Sequence, residues 1–394
     1  MKMLFKLALR NVLGAGLRTW LNVGALSIGF VMVIWMQGLY QGMLKQMTTA
    51  TVDADYGGGQ FWQEVYDPFD PLTLDDAHAV VPDALQQRVN DGALTPVLIA
   101  SGSVFPGGRA QPANLRGVDP AQSIVNVPTA LIKTQSDLIP VMVGERMAKN
   151  IGISTGDTLT VRWRDVDGTF DATDVEVVAV MSTLVPNIDT GQLWFDINDL
   201  RRMLGTPNEA TYLIAEKGYQ MPTQQSFPGF VFRDLDFLLQ DEVAIYESKQ
   251  AGGSILYVIL MSMGLLAVFD TQVLAIFRRR KEIGTLMALG MNRAEVVSLF
   301  TLEGSMNGIL ALLVGAVYGI PLMAYTSISG LHFPEEAIED FGMALGATLY
   351  TSYAPSVFGA TLLILLGSVV FVSFLPARKI VKLKVTDAIR GRIS

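Results

Sequence analysis

Four stretches of the chain are apolar at most positions for 20 residues or more, at 19–44, 251–277, 296–325 and 354–375. A helix rises 1.5 Å per residue, so about 20 apolar residues cross the roughly 30 Å hydrocarbon layer of a bilayer. The pattern predicts four transmembrane helices at those positions. The first and fourth carry no charge, the second contains Asp270 and the third Glu303. An ionisable residue at membrane depth faces a partner, a cavity or a mechanism. Asp270 and Glu303 are therefore intramembrane polar candidates. Each lies about two turns from one end of its span, within range of the basic cluster Arg278–Lys281. A structural polar pair and proton coupling both fit that placement.

Between residues 45 and 250 the apolar runs shorten, and Pro, Gly, Asp and Asn become frequent. Leu94–Val104, Leu159–Trp163, Val175–Met181 and Tyr212–Ala215 read as strands, and Asp167-Gly168 is a hairpin signal. Gly144–Ile151 and Asn198–Leu204 read as short helices closed by Gly152 and Gly205. The expectation is a large α+β domain inserted between helices 1 and 2, in two lobes, with a β-rich sub-lobe at about 144–205. Apolar residues near helical spacing over Phe232–Tyr246, with Met43, Leu44 and Met47 extending the first span, predict either a pair of stalk helices or independent linkers. Gly57-Gly58-Gly59 reads as a hinge. Asp165, Asp167 and Asp171 lack the Gly and Glu positions of a calcium loop, so a solvated hairpin is the default. Phe61, Trp62 and Tyr66 fit core packing or an apolar contact surface.

Charge sets the expected orientation. Fifteen of the 29 Lys and Arg residues flank the spans: Lys2, Lys6, Arg10 and Arg18, then Arg278–Lys281 and Arg293, then Arg378, Lys379, Lys382, Lys384, Arg390 and Arg392. Short segments rich in Lys and Arg stay cytoplasmic. The expectation is cytoplasmic termini, a cytoplasmic loop at 278–295, an external domain at 45–250 and a short external loop at 326–353 carrying Glu335, Glu336, Glu339 and Asp340. Residues 1–18 read as an interfacial helix or a simple basic flank, and 376–394 as a cytoplasmic tail. The first apolar run is too long for a signal-peptide core and reads as a retained anchor.

Composition narrows the chemistry. Half the residues are hydrophobic and only 17% charged, against about a quarter in soluble domains, and mean hydropathy is +0.37. With no cysteine there is no disulfide, thiol nucleophile or thiolate metal site. The net charge of −8 argues against nucleic acid as a partner. No Gly-Lys dipeptide occurs, so these residues contain no P-loop. The chain is expected to be a non-catalytic subunit with no cofactor of its own.

The most informative segment is RRRKEIGTLMALGMNRAEVVSLF, residues 278–300. Ile283, Leu286 and Met287 recur at i, i+3 and i+4, Gly290 fits a helix C′ position, and Asn292 with Glu295 forms a capping-box pattern. An apolar stripe in so short a loop calls for a partner, either lipid headgroups or protein. KEIGTLMALG here, PARKIVKLKVTDAIR at 376–390, GERMAKNIGISTGDTLTV at 144–161, LRGVDP at 115–120 and the opening LALRNVLGAGLRTWLNVGALSIG together resemble the FtsX/MacB-like permease family of ABC transporters. The resemblance runs through nearly the whole chain in order, with a one-plus-three span layout.

That resemblance implies a mechanotransmission permease. Its partners would be a cytoplasmic ATPase dimer that binds ATP and Mg, a second permease (a like copy or a related paralogue), the lipid bilayer of the bacterial inner membrane, and a periplasmic carrier or adaptor. Residues Glu282, Ile283, Gly284, Thr285, Leu286, Met287, Ala288, Leu289 and Gly290 would form the coupling helix. The missing P-loop and the length are more similar to the lipoprotein-releasing branch than to the macrolide exporters. Efflux of peptides or drugs is the alternative, as is a non-transporting transducer that controls a cell-wall hydrolase.

Overall fold

The computed structural model describes residues 16–133, 137–221, 227–334 and 344–379. The interfacial helix expected at 1–18, the acids Glu335, Glu336, Glu339 and Asp340, and the tail beyond Lys379 lie largely or wholly outside the described residues. In chain order the principal elements are α1 (Leu17–Thr51), β1 (Gln60–Gln63), α2 (Asp83–Asn90), β2 (Leu94–Val104), β3 (Gln111–Val118), β4 (Ile139–Gly144), α3 (Glu145–Ile151), β5 (Thr158–Arg164), β6 (Phe170–Met181), β7 (Gln192–Asp196), α4 (Ile197–Leu204), β8 (Tyr212–Ala215), β9 (Phe230–Arg233), α5 (Gln240–Arg278), α6 (Arg280–Ala288), α7 (Arg293–Ile328) and α8 (Pro355–Ala377). The chain divides into two compact units. The first comprises Met1–Lys45, Ile245–His332 and Thr348–Ser394, and the second Gln46–Ala244 and Phe333–Ala347.

The first unit is a helical bundle. α1, α5, α7 and α8 are long and apolar enough to cross a membrane. Helices surrounded by lipid associate through close packing rather than hydrophobic burial, so small residues gather where they touch. α7 supplies them. A Cβ at Gly304 would lie 2.5 Å from Ser373 Oγ, one at Gly308 3.0 Å from Val369, and one at Gly319 2.8 Å from Val31. Val23, Leu26, Phe30, Ile34, Val268, Ala311, Leu365 and Val369 form the bundle core around these contacts. α1 and α5 contain 35 and 39 residues, well beyond the roughly 20 that a bilayer requires.

The second unit is built on one nine-stranded sheet. Six strands close on themselves in the order β2, β3, β7, β4, β6, β5 and back to β2. Closure is possible because β2 is long and uses one edge twice. Leu94–Val97 pair with β8, and Gly102–Val104 with β5. The alternation along β5 points Leu159, Val161 and Trp163 inward, and Leu98, Leu115, Val143, Val175, Leu193 and Phe195 join them in the barrel core. Outside the barrel, β8, β1 and β9 continue the sheet over a second core containing Phe61, Leu85, Leu94, Leu213 and Phe230.

Three expectations change. The β-rich part is not the contiguous segment 144–205, because β2, β3 and β4, which lie before it but for Gly144, supply three of the six barrel walls. The run Phe232–Tyr246 is not one helix. Phe232 belongs to β9, and Asp234 caps a short helix, Leu235–Leu238, by accepting from Phe237 N at 2.9 Å, before α5 begins. The three glycines are a close backbone crossing rather than a hinge. A Cβ at Gly57 would sit 2.3 Å from Ala215 O and one at Gly58 1.9 Å from Glu216 O, while Gly59 has φ +122°. Only glycine fits that approach. In the β5–β6 hairpin, the Asp165 carboxylate accepts from Thr169 N at 2.7 Å and so shapes the turn. Phe61 is fully buried, and Trp62 meets Tyr66 and Phe237 edge to face.

Candidate functional site

The loop between α5 and α7 folds as its sequence pattern directs. α5 ends at Arg278, and α6 starts after Arg279, whose φ of −98° and ψ of 18° break the helix. At the far end, Gly290 adopts φ +102°. Its N–H donates to Met287 O at 3.2 Å and the Met291 N–H donates to Leu286 O at 3.1 Å, the paired bonds of a Schellman motif. Asn292 and Glu295 then satisfy each other's backbone N–H groups at 2.8 and 2.9 Å and start α7.

The apolar stripe of α6 does not wait for a partner. Ile283 is fully buried against Ile276, Val296, Val297, Phe300 and Ala377, and Leu286, Met287 and Met291 pack on the same cluster. The stripe is the inward face, so the expectation that it needs an external partner is corrected. Gly284 is buried beside it, while Glu282, Thr285, Ala288, Leu289 and Gly290 are exposed. Leu289 is 80% exposed, an isolated large apolar side chain at the end of the outer face. Of the nine coupling residues expected from sequence, five form an outer surface and four hold the helix against the bundle.

Arg279 fastens this hairpin. Its Nε and Nη2 donate to the two carboxylate oxygens of Glu282, each at 2.6 Å, and its Nη1 donates to Glu303 at 2.6 Å. The guanidinium also lies 4.9 Å from the centre of the Phe300 ring. The hydrogen bonds from Arg279 hold the Glu282 carboxyl below its usual range, against a smaller opposing effect of burial. Glu303, 8% exposed, thus meets the basic cluster as its position predicts. Asp270 does not. It lies on the exposed side of α5, nine residues before Arg279, and makes no ion pair among the described residues. At 1.5 Å per residue the two are about 13 Å apart along the chain path, beyond side-chain reach. Arg279 as the link was missed because four basic residues stand in a row, and only the helix break singles one out.

Two family descriptions match the chain: a MacB-like periplasmic core domain over residues 19–225 and an FtsX-like permease C-terminal over residues 254–385. Among known proteins, the lipoprotein-releasing system transmembrane protein LolC of Xylella fastidiosa is 23% identical over 342 residues, covering 80% of this chain and 76% of that protein. The macrolide export ATP-binding/permease protein MacB of Neisseria gonorrhoeae is 23% identical over 420 residues, covering 98% of this chain and 60% of that one. Among solved structures, the periplasmic region of MacB from Actinobacillus actinomycetemcomitans aligns with a TM-score of 0.27 at 13% identity, covering 42% of this chain and 90% of that one.

Proposed function

Because the chain belongs to the family of ABC transporter permeases with a MacB-like periplasmic core domain and an FtsX-like C-terminal, we propose that it turns ATP hydrolysis by a separate cytoplasmic ATPase into work on a substrate outside the membrane. The carrying observation is the outer face of α6. It is short, held by Arg279 and the buried Ile283, and presents the exposed Leu289 to a protein that would dock there. ATP and Mg would be bound by that partner. Cytoplasmic placement of both ends and of α6, and external placement of the sheet unit, follow the distribution of Lys and Arg.

Lipoprotein release is the substrate reading we favour. It is supported by the balanced coverage of LolC, in which four fifths of this chain match three quarters of that protein. A second reading, export of a small amphiphile or peptide, is supported by the match to MacB along almost the whole chain. In either case a second permease completes the assembly. α5 leaves Ile255, Leu256, Val258, Ile259, Met263 and Leu266 uncovered, a surface for lipid or for that second permease.

The test is purification of the tagged chain from its own host. An ATP-binding subunit should accompany it, and its ATP turnover in nanodiscs should rise at least twofold with a triacylated lipoprotein and not with macrolide. Stimulation by macrolide alone would replace the first reading with the second. Absence of any ATP-binding subunit would overturn both.

A further inference from the structure

Helix α1 does not stop at a cap. Past Thr51 the backbone widens into a π-helical turn, Val52–Tyr56, closed where the Gly57 N–H donates to Val52 O at 2.8 Å. Such turns are rare and gather at functional positions. This one is held from several sides within the second unit. The Asp55 carboxylate accepts from Arg116 on β3, and Gln60 Nε2 donates to Asp55 O at 2.9 Å. Lys217 Nζ pairs with Asp53 at 2.6 Å, and the Asn126 N–H donates to Asp53 O at 2.6 Å. The Tyr56 hydroxyl donates to Glu242, in the first turn of α5, at 2.7 Å.

Arg116 is the centre of this arrangement. It is 3% exposed, lies 4.4 Å over the ring of Trp194 on β7, and donates to the Tyr212 hydroxyl on β8 as well as to Asp55. A guanidinium taken out of water is tolerated only while its partners stay in place, so removing one is strongly destabilising to that arrangement. The end of one long helix, the start of the other and three strands therefore meet at one polar junction. The glycine crossing that follows leaves no slack beside it.

We propose that Asp55, Tyr56, Arg116 and Glu242 are positioning residues that weld the ends of α1 and α5 to the sheet, so that displacement along either helix reaches the sheet undiminished. The delivery of displacement rests on the permease reading; the weld itself does not. Two measurements separate them.

The first uses the full chain in nanodiscs without any ATPase. Spin labels on Thr49→Cys and Thr158→Cys, both exposed and both in the second unit, report the weld as a distance distribution. A narrow distribution is expected in the parent. At least twofold broadening is expected in Tyr56→Phe and Asp55→Asn, and none in Glu242→Gln, which still accepts from Tyr56. A parent-like width in Tyr56→Phe, with its unfolding temperature unchanged, would overturn the weld. Loss of the folded barrel in Tyr56→Phe would also overturn it, by reducing the residue to a folding role. The second adds the ATP-binding subunit. Tyr56→Phe should keep basal ATP turnover and lose at least half of the substrate released per ATP. An unchanged ratio would overturn the transmission role while leaving the weld intact.

Discussion

Leu286 on α6 and Leu289, the residue that caps its end, stand three residues apart and do opposite work. Leu286 packs on the cluster around Ile283, whereas Leu289 is 80% exposed. Leu289→Asp should therefore leave the unfolding temperature within about 2 °C while reducing recovery of the ATP-binding subunit at least tenfold. Leu286→Asp buries a charge at the bundle surface and should lower the unfolding temperature itself, so loss of association in that variant would not identify a docking face. The two acids near the membrane divide in the same way. Glu303→Gln removes a charge-assisted bond to Arg279 and should cost about 1.5–3 kcal/mol in detergent unfolding, whereas Asp270→Asn, exposed and unpaired with a base among the described residues, should cost under about 0.5. Glu282 supplies the pH dependence. Its carboxyl is held down by Arg279, so the stabilisation it lends α6 is present above the ordinary value of 4.5 and lost as pH falls through the lower folded value. A carboxyl infrared titration, with Glu282→Gln as blank, should show a midpoint below 4.5; a midpoint at or above it contradicts the pairing.

Elements were legible in the sequence where a local rule fixes them. The span helices follow from apolar length, β2 and β8 from short apolar runs, and α3 and α4 from the glycines that close them at φ +70° and +74°. What the chain does not spell out is pairing between distant segments. Nothing in Gly102–Val104 announces β5 as a neighbour, so the barrel was invisible and a contiguous lobe was expected instead. The three glycines failed for the same reason: flexibility and close approach require the same residue, and only the position of Ala215 and Glu216 separates them. On α6 the stripe was legible but not what covers it, because the covering residues Ile276, Val296 and Ala377 lie on three other helices. α7 offers a test of how tightly such contacts are set. Gly308→Leu would force a side chain into Val369 at 3.0 Å, and overpacking of this kind costs about 1–3 kcal/mol. It should lower the unfolding temperature of the helical unit, while Gly367→Leu on α8, where a Cβ meets nothing within 4 Å, should not.

At the scale of the whole molecule, every functional claim depends on which side of the membrane each unit faces, and the chain is well suited to asking. It contains no cysteine, so single introduced thiols report without background. Leu289→Cys at the end of α6 and Leu72→Cys, which is 87% exposed in the second unit, are the informative pair. The distribution of basic residues places four near the start and five around α6, whereas the 205 residues from 45 to 249 carry 28 acids against 14 bases. Topology follows Lys and Arg in short loops and is nearly indifferent to charge in a long one. The prediction therefore rests on the short segments alone, and the acidic domain adds nothing to it. A membrane-impermeant maleimide added to spheroplasts should modify Leu72→Cys fully and Leu289→Cys less than a tenth as much, with Leu289→Cys reaching full modification after lysis. The converse pattern would put α6 outside, where no ATP-binding protein could reach it. The same reagent then probes docking: in lysed membranes, modification of Leu289→Cys should slow at least fivefold once the ATP-binding subunit is bound, because a side chain that is the contact cannot also be open to solvent.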